Sequence, residues 1–426
     1  MVRQSKPIRT TPTCSPSPRA VAVAGLAALA IAMGIGRFAF TPILPMMQQD
    51  AGLSVADGGW LASANYVGYL LGAMSAMVIR ARPAIAIRTA LVVIGIVTLG
   101  MGLERRFAAW VALRVLAGVG SAWVLVFASA WCLARLAPVQ RPLLNGAVFA
   151  GVGTGIAIAG GFCRGLMQAN ASSAQAWGGL GVIALAGTAA IWPVFGAEDA
   201  PGRDEGRSSA ARGRFWDADS LRLVLCYGAF GFGYIIPGTF LPVMARQAAH
   251  DPSVFGWSWP LFGAAAAISP LVAAVWARRV GNRRLWILGH LVMAFGVALP
   301  VSWPAIGGIM IAALLVGGTF MVITLAGMQE ARAVGGPHAT RLMAGMTAAF
   351  GTGQIAGPML VSSTVGADAN LSHPLLIACL ILVASACALY HRLGPNDIAR
   401  AEVGNGSPRQ NDGERGLGRA EQRRRP

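Results

Sequence analysis

The sequence has little charge and almost no lysine. Charged residues make up 12% of its 426 residues and apolar residues 55%, whereas a soluble globular protein carries about 25% charged residues. Lys6 is the single lysine. A Walker A loop needs a lysine after its glycines, and a retinal Schiff base needs a lysine within a helix. The sequence offers neither, so both are excluded. We therefore expect neither a soluble fold nor a pump driven by ATP bound to this chain.

Patterns for metal binding and for disulfide frameworks are missing as well. The six cysteines form no CxxC pair, and neither an HExxH motif nor a metal-spaced histidine cluster occurs. Most of the cysteines lie in or beside apolar segments, where they are interpreted as small packing residues. We predict no enzyme, no metal site and no cofactor. A multi-span membrane enzyme or sensor is the less favoured class, because no Asp/Glu pair lies mid-span for acid–base work.

Apolar runs of about twenty residues dominate the sequence, the length that crosses roughly 30 Å of hydrocarbon as a helix. Their number predicts an all-α polytopic membrane protein with twelve transmembrane helices. The predicted spans are 20–47, 57–79, 84–103, 107–134, 142–167, 175–196, 220–245, 254–277, 285–302, 304–329, 341–366 and 372–391.

One long polar segment divides these runs into two groups of six. The prediction is an N-terminal half at 20–196, a linker at 197–219 and a C-terminal half at 220–392. Residues 1–19 form an N-terminal tail. Residues 393–426 have almost no apolar content and are predicted to be a disordered tail.

The net charge of +17 reflects membrane topology rather than a nucleic-acid surface. With an even number of spans both tails share one side, here called the tail side. Arginines are concentrated there, as in Arg80, Arg82, Arg88, Arg135, Arg141, Arg203, Arg207, Arg212, Arg214, Arg278, Arg279, Arg283, Arg284, Arg332 and Arg341. Only Arg105, Arg106, Arg164 and Arg246 fall in the opposite loops. The positive-inside rule predicts that both tails and the linker are cytoplasmic, in a bacterial inner membrane.

The two halves repeat each other at an offset of 197 residues. Gly34 pairs with Gly231 and Gly36 with Gly233, and the same offset aligns Leu44, Pro45 and Met47 with Leu241, Pro242 and Met244. Six spans separate the copies, so the halves have the same orientation and are related by an axis along the membrane normal. Parallel halves of this kind enclose a central site, and we expect the first and seventh spans to face each other across it.

Several motifs resemble those of the major facilitator superfamily. Arg114-Val-Leu-Ala-Gly118-Val-Gly120 is similar to its RxxxGxG motif, and Gly353-Gln-Ile-Ala-Gly357-Pro358 to its GxxxGP motif. The stretch Gly34-Ile-Gly36-Arg37-Phe-Ala-Phe-Thr-Pro42-Ile-Leu-Pro45 resembles the first helix of the YbfB/YjiJ-type family. The superfamily's DRxGRR loop is degraded in both halves. The resemblance implies a secondary transporter, with Gly34, Gly36, Pro42, Pro45, Gly118, Gly353, Gly357 and Pro358 as structural or gating residues.

Two arginines lie inside predicted spans, where an ionisable group costs a few kcal/mol and normally faces a wet cavity or protein interior. Arg37 and Arg114 are expected roughly 10 to 15 Å below the outer surface, on helices that resemble the superfamily's cavity-lining first and fourth. Two guanidinium groups at one depth can clamp an anion. For Arg114 the alternative is a bond to the carbonyls of a neighbouring helix, and both interpretations stay open.

Acidic residues are absent from the middle of every predicted span. Export of a cationic drug usually needs a buried carboxylate, so this absence favours an anionic or carboxylate-bearing substrate. Asp57 and Glu330 lie at span ends, and His290 is the one mid-span group that titrates near neutrality. These three are the candidates for carrying a coupling proton, with packing or capping as the alternative role of each.

Uncharged polar residues complete the candidate substrate site, on spans two, seven and eleven. With the arginines, the predicted substrate-binding residues are Arg37, Arg114, Asn65, Tyr69, Tyr234 and Gln354. The predicted function is secondary active transport of a small organic solute around a central cavity. The alternative is a proton-coupled drug or metabolite exporter of the same fold. A monomer in contact with membrane lipid is expected, without a nucleic-acid partner.

Overall fold

The computed structural model describes residues 16–79, 81–196, 217–249, 257–364 and 371–390. Regular secondary structure in these ranges is entirely helical. The long helices are α1 (Pro18–Asp50), α2 (Val55–Val78), α3 (Pro83–Leu103), α4 (Phe107–Leu136), α5 (Pro142–Gln168), α6 (Ser173–Ile191), α7 (Ala218–Ala248), α8 (Ser258–Val280), α9 (Asn282–Ser302), α10 (Ile306–Gly335), α11 (Ala339–Thr364) and α12 (Ser372–Tyr390).

The helices begin and end within a few residues of the predicted spans at most termini. The largest differences are at the ends of α10 and α6, since α10 ends at Gly335 rather than at residue 329 and α6 ends at Ile191 rather than at residue 196. Pro193 follows two residues after the end of α6 and has no N–H to donate to the carbonyl of Ala189, four residues earlier. Asp217 caps α7 by accepting from the Ser220 N–H, so the predicted linker is two residues too long. The predicted tails up to residue 15 and from residue 393, and most of the linker, lie outside the described residues.

The chain is an integral membrane protein. The described helices contain eleven stretches that are long and apolar enough to cross a bilayer. Apolar side chains also cover the outside of the bundle, where water would disfavour them and lipid would not. Leu225, Phe295 and Leu380, for example, are each more than 60% exposed.

Helix packing follows a regular pattern through the bundle. Among the first six helices, α1 packs on α5, α2 on α4, and α3 on both α4 and α6. The same pairings recur six helices later, because α7 packs on α11, α8 on α10, and α9 on both α10 and α12. Two further contacts, α2 with α11 and α5 with α8, join the first group to the second.

Glycine permits the closest of these helix contacts. A Cβ atom on Gly34 would lie 2.4 Å from the backbone of Gly155, so α1 and α5 can meet at this distance only because both residues lack a side chain. In the second group, a Cβ atom on Gly231 would lie 2.3 Å from the Phe350 carbonyl oxygen on α11. The predicted pair Gly34 and Gly231 therefore lies at corresponding helix contacts.

Candidate functional site: a buried arginine on a π-helical turn

Arg37 lies on an irregular part of α1. Residues Ala30–Phe38 form a π-helix, in which each turn holds an extra residue, before the α-helix resumes at Phe40. Pro42 and Pro45 follow at once, and neither has an N–H to donate to the carbonyl one turn earlier. Segments of π-helix occur often at functional sites because the wider turn redirects side chains and frees backbone groups. Here the side chain placed on the π-helix is the arginine.

The Arg37 side chain is 3% exposed and points between α2 and α11. Its Nη2 donates to Oε1 of Gln354 on α11. The guanidinium carbon lies 4.0 Å from the centre of the Tyr69 ring and 5.3 Å from that of Tyr66, both on α2. A cation over an aromatic face is stabilised by the ring quadrupole. Three predicted site residues, Arg37, Tyr69 and Gln354, are thus brought together by three different helices.

Hydrogen-bonding capacity at this cluster is left unused. Nε and Nη1 of Arg37, the hydroxyl of Tyr69 and Nε2 of Gln354 are buried and have no hydrogen-bond partner among the described residues. A buried donor without a partner costs about 1–3 kcal/mol, and more for a charged group. The unpartnered nitrogens are hydrogen-bond donors, and the Tyr69 hydroxyl can donate or accept. The arrangement therefore suits an acceptor with negative charge.

No acid compensates Arg37 within the described part of the chain, where ion pairs occur only at helix ends on the tail side. Arg283 pairs there with Asp219 at 2.7 Å and with Glu330 at 3.0 Å. Asp57 is also engaged, in a capping box with Ser54 at the start of α2. The bundle interior around Arg37 accordingly has a positive field.

Arg114 is buried beside Arg37 but has a different environment. It donates to three backbone carbonyls, those of Leu61 on α2 at 3.3 Å and of Gly36 and Arg37 on α1 at 3.3 and 3.4 Å. Pro42 is the residue whose N–H would close a π-type turn onto the Arg37 carbonyl, and it has none. The guanidinium of Arg114 thus bonds to backbone carbonyls of two neighbouring helices, two of them on the irregular part of α1. Of the two interpretations of Arg114, the structure shows the carbonyl bonds.

Gly118 and Asn65 explain how α2 comes within reach of Arg114. A Cβ atom on Gly118 would lie 2.2 Å from the Asn65 carbonyl oxygen, so the helices touch backbone to backbone one turn after Arg114. Asn65 is fully buried and donates from Nδ2 to the Arg114 carbonyl at 3.0 Å. Asn65 is therefore engaged with α4 and not with Arg37. Its Oδ1 has no described partner.

The GxxxGP motif has a similar role on α11. A Cβ atom on Gly353 would lie 2.3 Å from the Gly228 carbonyl oxygen, and one on Gly357 would lie 2.4 Å from Ile235 Cγ2, both on α7. Pro358 has no N–H for the carbonyl of Gln354, four residues earlier. The helix that carries Gln354 is consequently weakened at the same level as the site.

Tyr234 belongs to an aromatic cluster beside the site and does not contact the Arg37 side chain in this structure. Its ring stacks on Phe320 at 4.3 Å between ring centres. Phe38, the neighbour of Arg37, contacts both Phe320 and Trp259, and Tyr69 contacts Phe350. Three members of this aromatic cluster were not predicted from the sequence, namely Trp259 on α8, Phe320 on α10 and Phe350 on α11. A single aromatic residue in an apolar span carries no signal that it faces a site.

The structure also shows the environments of Gly36 and His290, two further candidates from the sequence. Gly36 lies against Ile94 on α3, whereas Gly233, its predicted counterpart, lies against Leu382 on α12. His290 is fully buried between Trp286 and Phe230, with Nδ1 3.2 Å from the carbonyl of Trp286 in its own helix. Its contacts are those of a packed core residue.

A polytopic helical bundle with a buried cation in its interior is an arrangement found in membrane transporters. The chain belongs to the family described as uncharacterised MFS-type transporter YbfB, which its sequence matches over residues 29–390. No curated protein matches the sequence.

Proposed function

We propose that the protein is a secondary active transporter of a small organic anion, bound at a site formed by Arg37, Tyr69 and Gln354. The observation that carries the proposal is the pair of unpartnered nitrogens, Nε and Nη1, on the buried Arg37 guanidinium. A carboxylate accepts two parallel hydrogen bonds from one edge of a guanidinium, and each such edge combines Nη2 with either Nε or Nη1. Its binding would satisfy one of the orphaned donors directly and would neutralise a buried cation that, among the described residues, has no cluster of backbone carbonyls around it.

The rings beside Arg37 favour a carboxylate whose remaining atoms are apolar or aromatic. Phe38, Tyr66 and Tyr69 lie within 6 Å of the guanidinium carbon. An aromatic or aliphatic group attached to the carboxylate would therefore leave water on binding, which is favourable in proportion to the buried area. We propose aromatic and branched-chain carboxylates as the first compounds to examine.

We propose further that the bundle crosses the membrane twelve times in two six-helix halves related by an axis along the membrane normal. The helical stretch Ile306–Val361 is 56 residues long, about 84 Å as one helix and far more than a bilayer needs. It contains a 3₁₀ turn at Gly336–His338, where Gly336 has a positive φ of 48°. Two spans, α10 and α11, account for this stretch, and the recurrence of helix pairings after six helices supports the halves.

The arginine distribution supports an orientation with the N-terminus, the linker and the C-terminus in the cytoplasm of a bacterial inner membrane. Reporter fusions at residue 1, at the linker near residue 207 and at residue 426 test this orientation. A periplasmic signal from any one of them would contradict the twelve-span map.

A cationic-drug exporter of the same fold is the competing function. It needs a carboxylate in the interior to compensate its substrate, and the described acids lie in loops or in the terminal turns of helices, where Asp219 and Glu330 pair with Arg283. The field of Arg37 would oppose the binding of a cation there.

The test is transport by the purified protein in proteoliposomes, with benzoate and acetate as anionic probes and benzylamine as the cationic one. We expect benzoate uptake by the wild type, and its loss in Arg37→Leu. Arg37→Lys should not restore transport, because lysine keeps the charge but cannot make the paired hydrogen bonds. Transport of benzylamine with rejection of all carboxylates, or normal transport by Arg37→Leu, would refute the proposal.

A further inference from the structure

A cavity of about 640 Å³ opens at the tail-side ends of α4, α5, α8, α9 and α10. Three of the side chains that line it are arginines, namely Arg141 before α5, Arg278 at the end of α8 and Arg332 near the end of α10. Asn145 and Gln329, which carry side-chain amides, line the cavity as well. Its volume falls within the range of about 300–1,000 Å³ that is typical of small-molecule sites.

The positive charge of this cavity is not compensated by the described residues. The guanidinium groups of Arg141, Arg278 and Arg332 form no ion pair or hydrogen bond with any part of the chain that the structure describes. The described residues that line the cavity include no Asp or Glu. Glu330, two residues from Arg332, is bonded to Arg283. Charges of one sign around a concave surface concentrate the field inside it and attract counter-ions.

The cavity is separate from the site at Arg37. Leu133 lines the cavity and follows Arg114 by 19 residues on α4, which places it about 28 Å from Arg114 along the helix axis. Arg37 does not line the cavity and is buried. A ligand in the cavity therefore cannot touch the Arg37 guanidinium in this conformation.

Comparison with other tail-side arginines shows that the positive charge of the cavity is more than a general excess of arginine on this side. Arg279 is adjacent to Arg278 at the same helix end and is exposed, yet it does not line the cavity. Arg88 also lies on the tail side and is bound to the Trp192 carbonyl, with its guanidinium 4.5 Å from the Trp192 ring. The three cavity arginines instead come from separate helix ends and converge on one concave surface.

We propose that this cavity is a second anion-binding site, which takes a small polyanion carrying two or more carboxylate or phosphate groups from the tail side. Three guanidinium groups supply the charge, and the amides of Asn145 and Gln329 supply hydrogen bonds to the remaining polar atoms. Free solutes and the headgroups of anionic lipids share this chemistry. The site does not depend on whether Arg37 binds the transported substrate.

The experiment measures thermal stabilisation of the full-length protein purified in neutral detergent, with citrate or inorganic phosphate added at constant ionic strength against chloride. A ligand that binds the folded and not the unfolded state raises the Tm, and the stabilisation grows as the logarithm of one plus the ratio of free ligand concentration to Kd, from which the Kd is obtained. We expect citrate to stabilise the wild type. Arg278→Gln and Arg332→Gln should each raise the Kd for citrate about tenfold, equivalent to about 1.4 kcal/mol.

Arg279→Gln is the matched control, because it removes the same charge from the same helix end outside the cavity. It should change the Kd for citrate less than twofold. Equal weakening by Arg278→Gln and Arg279→Gln would overturn the proposal in favour of general surface charge. The absence of stabilisation by citrate, by phosphate and by an anionic lipid would overturn it as well.

A parallel titration with mixed micelles separates the two sources of ligand. Phosphatidylglycerol that competes with citrate, while phosphatidylcholine does not, would assign the cavity to a lipid headgroup. Citrate binding that persists in phosphatidylglycerol would assign it to a free solute. Both outcomes require Arg278, so a lipid effect that Arg278→Gln leaves unchanged would count against the site.

Discussion

The guanidinium of Arg37 on α1 donates a hydrogen bond to the side-chain oxygen of Gln354 on α11. The two residues are 317 positions apart in the sequence, and each lies where its helix is weakened, Arg37 on the π-helix and Gln354 one turn before Pro358. The bond uses one guanidinium nitrogen and leaves two others without partners among the described residues. It thereby fixes the orientation of the arginine without neutralising its charge.

Gln354→Glu should strongly weaken anion transport. The new carboxylate would lie against Arg37, pair with its guanidinium and supply internally the charge that the solute brings. We expect the KM for the transported anion to rise at least tenfold, equivalent to about 1.4 kcal/mol, with the folded protein as stable as the wild type or more so. Proteoliposome uptake and thermal unfolding measure the two effects. Unchanged uptake by Gln354→Glu would remove Gln354 from the site.

Arg114→Leu should lower stability, in contrast to Arg37→Leu. Arg114 donates to the carbonyls of Leu61, Gly36 and Arg37, and its removal takes away three buried hydrogen bonds from a charged donor, each worth about 1.5–3 kcal/mol. Arg37→Leu removes an uncompensated charge, so its Tm should stay near that of the wild type. Thermal unfolding in detergent compares the two variants directly. A larger loss of Tm in Arg37→Leu would reverse the roles assigned to the two arginines.

Tyr69→Phe should weaken substrate binding modestly. The substitution keeps the ring that lies 4.0 Å from the Arg37 guanidinium and removes only the orphaned hydroxyl. The loss of one neutral hydrogen bond is worth about 0.5–1.5 kcal/mol, so the KM should rise by roughly 2- to 10-fold. Tyr69→Leu, which removes the ring as well, should have a larger effect. If the two variants behave alike, the hydroxyl does not bind the solute.

Gly34→Ala should destabilise the bundle. The new methyl group would lie 2.4 Å from the backbone of Gly155, which cannot move away as a side-chain end can. Overpacking of this kind costs about 1–3 kcal/mol. Gly59→Ala is the control, because no atom lies within 4 Å of the position of its Cβ. Equal unfolding temperatures for the two variants would show that α1 and α5 do not meet at Gly34.

The sequence by itself determined the class of protein and the position of its helices. Runs of apolar residues long enough to cross a bilayer are set by the solvent that surrounds them, and this constraint acts on each segment without reference to the others. The same constraint explains why acids are scarce in the spans, because a polar residue there is costly unless it has a role. It is also the reason that Arg37, Tyr69 and Gln354 could be chosen as candidates from the sequence.

The tertiary structure decided which of those polar residues act together. Arg114 and Arg37 look equivalent in the sequence, yet one is surrounded by backbone carbonyls and the other is not. The repeat also predicts that Gly36 and Gly233 correspond, whereas they lie against α3 and α12, which are not equivalent in the two groups of helices. The π-helix at Ala30–Phe38 is present in α1, while α7 is α-helical throughout. The wider turn rotates every later side chain of α1, and no local sequence period records that rotation.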